Sequence, residues 1–148
     1  MDLTSLFSRR DRWTRGLFLS FDIFPISFFE GELLSKIVVD ENLTVVIEQD
    51  NWTRLLYRDE YPPLRAGIHY NLESASVLNG GKFHPKLYIL ENDEEIQIII
   101  GSFNLTKNGF KSNVESGFAF RTDRTHWDAN ERHIVWQIGQ FLRDAFLE

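Results

Sequence analysis

The sequence predicts an α/β domain with a mixed β-sheet flanked by helices. Three observations lead there. Runs rich in β-branched and aromatic residues at 15–24, 43–48 and 96–100 alternate with segments of helical character, the pattern that builds βα units. Glu91-Asn92-Asp93-Glu94-Glu95, a cluster without apolar residues, separates two strand-like runs and reads as the tip of a hairpin. The C-terminal segment repeats Ile134, Ile138, Phe141, Leu142 and Ala145 at helical spacing, behind an Asp128-x-x-Glu131 capping box.

Taken in order, residues 15–24 form an apolar, aromatic strand, and 28–37 fit a short helix. Residues 43–48 make a buried β-branched strand, and 51–57 a second helix before the Pro62-Pro63 break. Residues 68–77 alternate as a strand. Asn79-Gly80-Gly81 is a hairpin signal leading into a strand that starts at His84. The apolar strand 96–100 follows the acidic tip. A helix at 105–113, a strand at 117–121 and the amphipathic helix complete the chain. The early strands are expected to be parallel, because helical segments separate them. No internal repeat, linker or low-complexity stretch is evident.

At 148 residues the chain is one domain by length, with room for a core. Its 43% apolar and 26% charged residues are those of a soluble globular protein. The absence of cysteine excludes disulfides and thiolate metal sites. Met1-Asp2 opens without a basic leader, and the apolar run 16–29 is broken by Asp22 and Pro25. The run is therefore expected to be neither signal peptide nor membrane span, with the cytoplasm as the default location. The Asn-x-Thr triplets at Asn42, Asn51 and Asn104 carry no meaning without secretion. The chain ends just after a helix, which also suits a fragment of a longer protein.

The chemistry concentrates between His84 and Glu115. Side chains at i and i+2 of a strand share a face, so His84 and Lys86 point together, as do Ser102 and Asn104. If the strands on either side of the acidic tip pair, both duos converge at one end of the sheet. Gly101 lets the backbone approach a ligand closely there. The residue types suit a phosphodiester. An imidazole can attack phosphorus when neutral and protonate a leaving group when charged. Lys86 supplies positive charge to non-bridging oxygens, and Ser102 and Asn104 supply donors. Glu115 can accept a proton from an imidazole and orient it. Such a site handles charge with no metal and no cofactor. Each residue also has a plainer reading: Asn104 and Thr106 suit a helix N-cap, Ser102 a turn, and Glu115 a solvated strand end.

His84-x-Lys86 followed by Gly101-Ser102-x-Asn104 resembles the HKD motif of the phospholipase D superfamily, H-x-K-x4-D-x6-G-S-x-N. Glu115, eleven residues after Asn104, resembles the glutamate of the nuclease branch. Two departures stand out: Glu91 replaces the aspartate, and nine residues instead of six precede the glycine. The resemblance implies a phospholipase D-like fold with a single HKD-type motif per chain. It assigns His84 as the residue forming a phosphohistidine, or as its acid partner. It makes Lys86, Ser102 and Asn104 phosphate holders and Glu115 the residue that orients a histidine.

One motif is half an active site. In-line displacement needs one histidine to attack and another to protonate the leaving oxygen, so a homodimer with the site across its two-fold axis is expected. His69, His126 and His133 lack metal-ligand spacing and read as ordinary surface or core histidines. Trp127 and Trp136 read as core or dimer packing. The net charge of −6 weighs mildly against a nucleic-acid binder. Locally, Arg9, Arg10, Arg12 and Arg15 around Trp13 form a candidate backbone-contact patch, and Lys82, Lys107 and Lys111 flank the motif. A short single-motif chain resembles the nuclease branch, which includes metal-independent restriction endonucleases, so a DNA endonuclease is the leading expectation. The alternatives are a phospholipase or phosphatidyltransferase-type diesterase, or a non-catalytic nucleic-acid-binding or assembly module with a relic site. The last helix carries acids beside its arginines, so no membrane contact is expected.

Overall fold

Parallel and antiparallel halves join in one six-stranded sheet in the computed structural model, which describes residues 2–8, 10–57, 62–77 and 80–146. β1 (Arg12–Ser20), β2 (Val38–Glu48) and β3 (Asn71–Ala75) are mutually parallel. β4 (Leu87–Glu91), β5 (Glu95–Gly101) and β6 (Gly117–Asp123) continue the sheet antiparallel, in the order β3-β2-β1-β4-β5-β6. Parallel neighbours need crossovers, and the sequence supplies them. Residues Pro25–Leu33 form a π-type helix, in which Phe29 N–H donates to Phe24 O at 2.9 Å, followed by a 3₁₀ turn at Leu34–Lys36. α1 (Gln49–Tyr57) links β2 to β3. Glu48 starts α1: its Oε2 accepts from the backbone N–H groups of Asp50 (2.8 Å) and Asn51 (3.2 Å), which the helix leaves unpaired.

The mixed sheet and the parallel early strands match the sequence reading, and several boundaries differ. β1 starts before residue 15 and stops at Ser20, where Asp22 turns the chain by accepting from Ile23 N–H at 2.8 Å. β3 is shorter than 68–77, because Ile68 and His69 sit in a turn closed by Gly67 N–H donating to Tyr70 O. Gly67 has φ 77°, a conformation that favours glycine. The hairpin expected at Asn79-Gly80-Gly81 does not form. β3 lies at the far edge against β2, while β4 adds beyond β1, so the chain crosses the sheet there. Asn79 itself lies outside the described residues. The regular part of β4 begins at Leu87, three residues after His84. The helix expected at 105–113 is a short π-type turn, Asn108–Ser112, capped by Thr106 Oγ1 accepting from Gly109 N–H at 3.1 Å.

The acidic tip behaves as its composition implies. Asn92 N–H donates to Glu95 O (3.0 Å), and Asn92 Oδ1 accepts from the N–H groups of Glu94 and Glu95. The capping box of α2 (Ala129–Phe146) is reciprocal: Asp128 Oδ1 accepts from Asn130 and Glu131 N–H, and Glu131 Oε2 accepts from Asp128 N–H. No described helix is long and apolar enough to cross a membrane.

Alternation along the strands splits the core between the two faces. Phe18, Tyr88, Leu90 and Ile99 join Phe28, Phe29, Phe103 and Phe110 on one face. Leu19, Val46, Leu87, Ile96 and Ile98 lie on the other, where Val135, Ile138 and Leu142 of α2 cover them. Trp127 packs half-buried against this second cluster, whereas Trp136 is exposed. The pairings Leu19↔Leu87 and Leu87↔Ile100 bring the ends of β1 and β5 beside the start of β4. That end of the sheet carries the candidate site.

Candidate active site

His84 and Lys86 run into β4 in extended backbone, anchored by buried Phe83 and by Gly101 N–H donating to Lys86 O at 3.1 Å. Their even register places them on the face of Tyr88 and Leu90, as strand alternation requires. His84 is exposed, while Lys86 is only 7% exposed. The Lys86 ammonium donates to His84 Nδ1, lies 3.1 Å from Nε2 and donates to His84 O at 3.1 Å. Burial pushes the Lys86 pKa below its ordinary value, and the charge of Glu115 opposes that shift.

Ser102 follows β5 directly. Its Oγ donates to Glu115 Oε2 and accepts from Ser116 N–H at 3.0 Å. Asn113 Nδ2 donates to Glu115 Oε1 at 3.1 Å. The Ser102 bond, then the Asn113 bond, and more weakly the charge of Lys86 hold the Glu115 carboxyl below the usual carboxylate range. Within its own chain Glu115 hydrogen-bonds Ser102 and Asn113, and no hydrogen bond joins it to His84 among the described residues. Asn104 lies with its Oδ1 3.5 Å from Ser20 Oγ. Ser20 is fully buried, accepts from Leu105 N–H (3.1 Å) and donates to Asp22 O (2.7 Å), tying the Asn104 loop to the end of β1.

Close packing fixes this loop. A Cβ on Gly101 would stand 2.0 Å from Phe103 Cε1, and one on Gly109 2.7 Å from Asn104 O. The Phe103 ring fills the space so vacated and stacks on Tyr88 at 5.6 Å, while Tyr88 Oη donates to Phe103 O at 2.5 Å. Burial raises the Tyr88 pKa above its ordinary value, so the hydroxyl remains a donor.

The structure therefore gathers His84, Lys86, Ser102, Asn104 and Glu115 at one end of the sheet. The arginine patch lies elsewhere. Arg15 pairs in register with Glu91 at the opposite end of β1, and its guanidinium meets that carboxylate at 2.9 Å. Arg12 bonds Asp40 at 2.6 Å, Arg10 is exposed, and Arg9 lies outside the described residues. Lys82 does reach the end of the sheet that carries the candidate site, but there Glu48 (3.3 Å) and Asp50 (2.5 Å) hold it. Lys111 is paired with Glu32, and Lys107 is exposed beside the Asn104 loop. His126 faces Asp123 at 3.2 Å, His133 stacks on Trp136, and His69 is exposed in its turn. No three metal-ligating side chains cluster among the described residues.

At the β1 end of the site, Ser20 and Phe21 escaped sequence reading. The Phe21 ring lies 4.4 Å from the His84 imidazole. Their position just past the carboxyl end of a strand, where open α/β sheets place ligands, was the available signal.

A buried lysine seated on an exposed histidine, with a serine–glutamate pair and an asparagine loop beside it, lies at one end of a mixed α/β sheet. Residues 35–132 match the family model described as cardiolipin synthase, PLD-like domain, and the chain belongs to this family of the phospholipase D superfamily. Solved structures agree on the fold. Nuc of Salmonella typhimurium, a phospholipase D family member, shares 16% identity over 97% of this chain and 84% of its own, with a TM-score of 0.57. NucT from Helicobacter pylori shares 16% over the same proportions, with a TM-score of 0.53. Yeast tyrosyl-DNA phosphodiesterase matches at 16% identity over 79% of this chain, with a TM-score of 0.54. This chain covers 27% of that enzyme's length. No curated protein matches the sequence.

Proposed function

We propose that this protein is a metal-independent phosphodiesterase that cleaves DNA through a covalent phosphohistidine, with the active site shared across a homodimer. One observation carries the reading: the buried Lys86 ammonium seated against the exposed His84 imidazole, at the sheet end that also holds Ser102, Asn104 and Glu115. A neutral His84 attacks phosphorus, the bond to the leaving oxygen breaks, and the partner subunit's His84, protonated, supplies the proton that oxygen needs. That second histidine, now neutral, takes a proton from water. The water oxygen attacks the phosphohistidine, releasing a phosphomonoester and restoring His84. Lys86 and Asn104 stabilise the charge on the non-bridging oxygens.

Each chain brings one His84 and the displacement uses two, hence the dimer. The Glu115 arrangement supports it. Its carboxylate is held by Ser102 and Asn113 of its own chain and bonds no histidine there, which is consistent with a role in orienting the partner subunit's His84. The fold shared with yeast tyrosyl-DNA phosphodiesterase supports a nucleic-acid diester by analogy.

A lipid diester is the second reading, favoured by a specific feature. An apolar groove of about 500 Å³ borders Pro85 and is lined by Ile100, Ile134, Ile138 and Phe141. The test is cleavage of labelled single- and double-stranded DNA in excess EDTA by wild type and His84→Ala, with phosphatidylcholine vesicles in parallel. Cutting of DNA by wild type alone, blocked by vanadate, is expected. Release of phosphatidic acid without DNA cleavage would transfer the assignment to the lipid class, and equal activity in His84→Ala would overturn both.

A further inference from the structure

Phe21 leaves the end of β1 and lays its ring on the candidate nucleophile. The ring centroids of Phe21 and His84 are 4.4 Å apart, with planes 39° from parallel. Lys86 Nζ stands 5.7 Å from the same Phe21 centroid, so one aromatic face serves both residues of the H-x-K pair. The Phe21 backbone is held from behind. Asn51 Nδ2 donates to Phe21 O at 2.8 Å, and Asn51 sits in the first turn of α1, whose N–H groups Glu48 caps. Glu48 is itself 4% exposed and bonds Lys82. Glu48, Asn51 and Phe21 thus form a rigid bracket ending on the imidazole.

An exposed histidine at a strand entrance has several rotamers within reach and exchanges them quickly. Attack on phosphorus uses one of them, and a displacement of about 1 Å can cost on the order of a hundredfold in rate. Lys86 holds one edge of the ring through a single atom, about which the ring plane can still pivot. A tilted aromatic contact does.

We propose that Phe21 is the positioning residue of the catalytic imidazole, holding His84 in its attacking orientation through ring contact. The inference rests on the phosphodiesterase reading of His84. It differs from a base-stacking role, in which Phe21 would contact substrate and leave the histidine unaffected.

The experiment compares wild type, Phe21→Leu, Phe21→Tyr and His84→Ala on bis(p-nitrophenyl) phosphate in excess EDTA, alongside proton–carbon NMR spectra of the histidine rings. Leucine keeps apolar bulk but no ring, whereas tyrosine keeps the ring. Phe21→Leu is expected to lower kcat about 10- to 100-fold with KM within about twofold of wild type, and Phe21→Tyr to restore most of it. The ring current of Phe21 should displace the His84 ring-proton resonances, and that displacement should vanish in Phe21→Leu and persist in Phe21→Tyr. An unchanged kcat, or a raised KM with kcat preserved, overturns the positioning role. His84 resonances indifferent to Phe21→Leu overturn it as well, without reference to activity. Equal hydrolysis by wild type and His84→Ala would instead remove the phosphodiesterase reading, and the NMR comparison would still decide whether Phe21 orders the ring.

Discussion

Lys86 places function and stability in opposition. Its stem is buried, and burial lowers the ammonium pKa in the folded state against an ordinary 10.5. Below the folded-state value the residue is charged in both states, and the folded protein bears the full cost of dehydrating it. As pH rises through that value toward 10.5, the folded chain releases its proton first and the cost is relieved. The charged ammonium therefore carries a burial cost throughout the neutral range. Methionine retains the unbranched stem without the charge, so Lys86→Met is expected to raise the melting temperature by about 2–4 °C, the response of a domain this size to about 1 kcal/mol. Diester hydrolysis should fall at least about a hundredfold with loss of the charge proposed to hold the phosphate. Thermal unfolding and EDTA-insensitive hydrolysis on one preparation check both. A lowered melting temperature would mean that the Lys86–His84 contacts outweigh the burial cost. Glu115 has the opposite sign: its depressed pKa stabilises the fold above the ordinary carboxylate range, and that contribution disappears as pH falls through the folded-state value.

Among the elements, the β5 exit shows how packing aims the site. Gly101 and Gly117 face one another across β5 and β6, and the Phe103 ring occupies the volume their missing side chains leave. Gly101 needs no special backbone angle, so its requirement is close approach alone. Gly101→Ala is expected to cost about 1–3 kcal/mol by overpacking a ring that is 1% exposed. It should also impair hydrolysis beyond that loss, because Ser102 and Asn104 flank Phe103; urea unfolding and turnover at saturating substrate separate the two effects. Elements set by nearby residues were legible in the sequence. Asn92 closes the acidic tip, and Asp128 with Glu131 caps α2, because those bonds span a few residues. What depended on distant pairing was not. Gly80 signalled a hairpin, yet β3 found a parallel partner in β2 and β4 went to the other side of β1. The candidate site divides the same way. The pairs His84–Lys86 and Ser102–Asn104 could be placed from strand alternation once the hairpin was seen. Phe21 meets His84 only because β1 lies between β2 and β4. The arginines near Trp13 looked close to the motif in composition, but register puts Arg15 against Glu91 at the far end.

At the scale of the whole molecule, mixing subunits measures how many chains make one site. The proposed in-line displacement uses two histidines, and each chain offers His84 at one end of its sheet. If two chains share the site, a dimer containing one His84→Ala chain retains a single imidazole, which cannot both attack phosphorus and protonate the leaving oxygen. Let wild type and His84→Ala exchange subunits at equal amounts and constant total protein. A shared site leaves only wild-type homodimers active, so activity per total protein should settle at about a quarter of the all-wild-type value. Independent sites would leave about a half. As the wild-type fraction varies, the shared site gives a parabola and the independent site a straight line. Glu115 sharpens the test because its carboxylate is bound to Ser102 and Asn113 within its own chain. A wild-type chain paired with Glu115→Gln should then turn over more slowly than its own intact carboxylate would dictate, because in the proposed dimer the glutamate orienting its His84 lies on the defective partner. A linear titration with full activity in that second mixture would place the entire reaction within one chain.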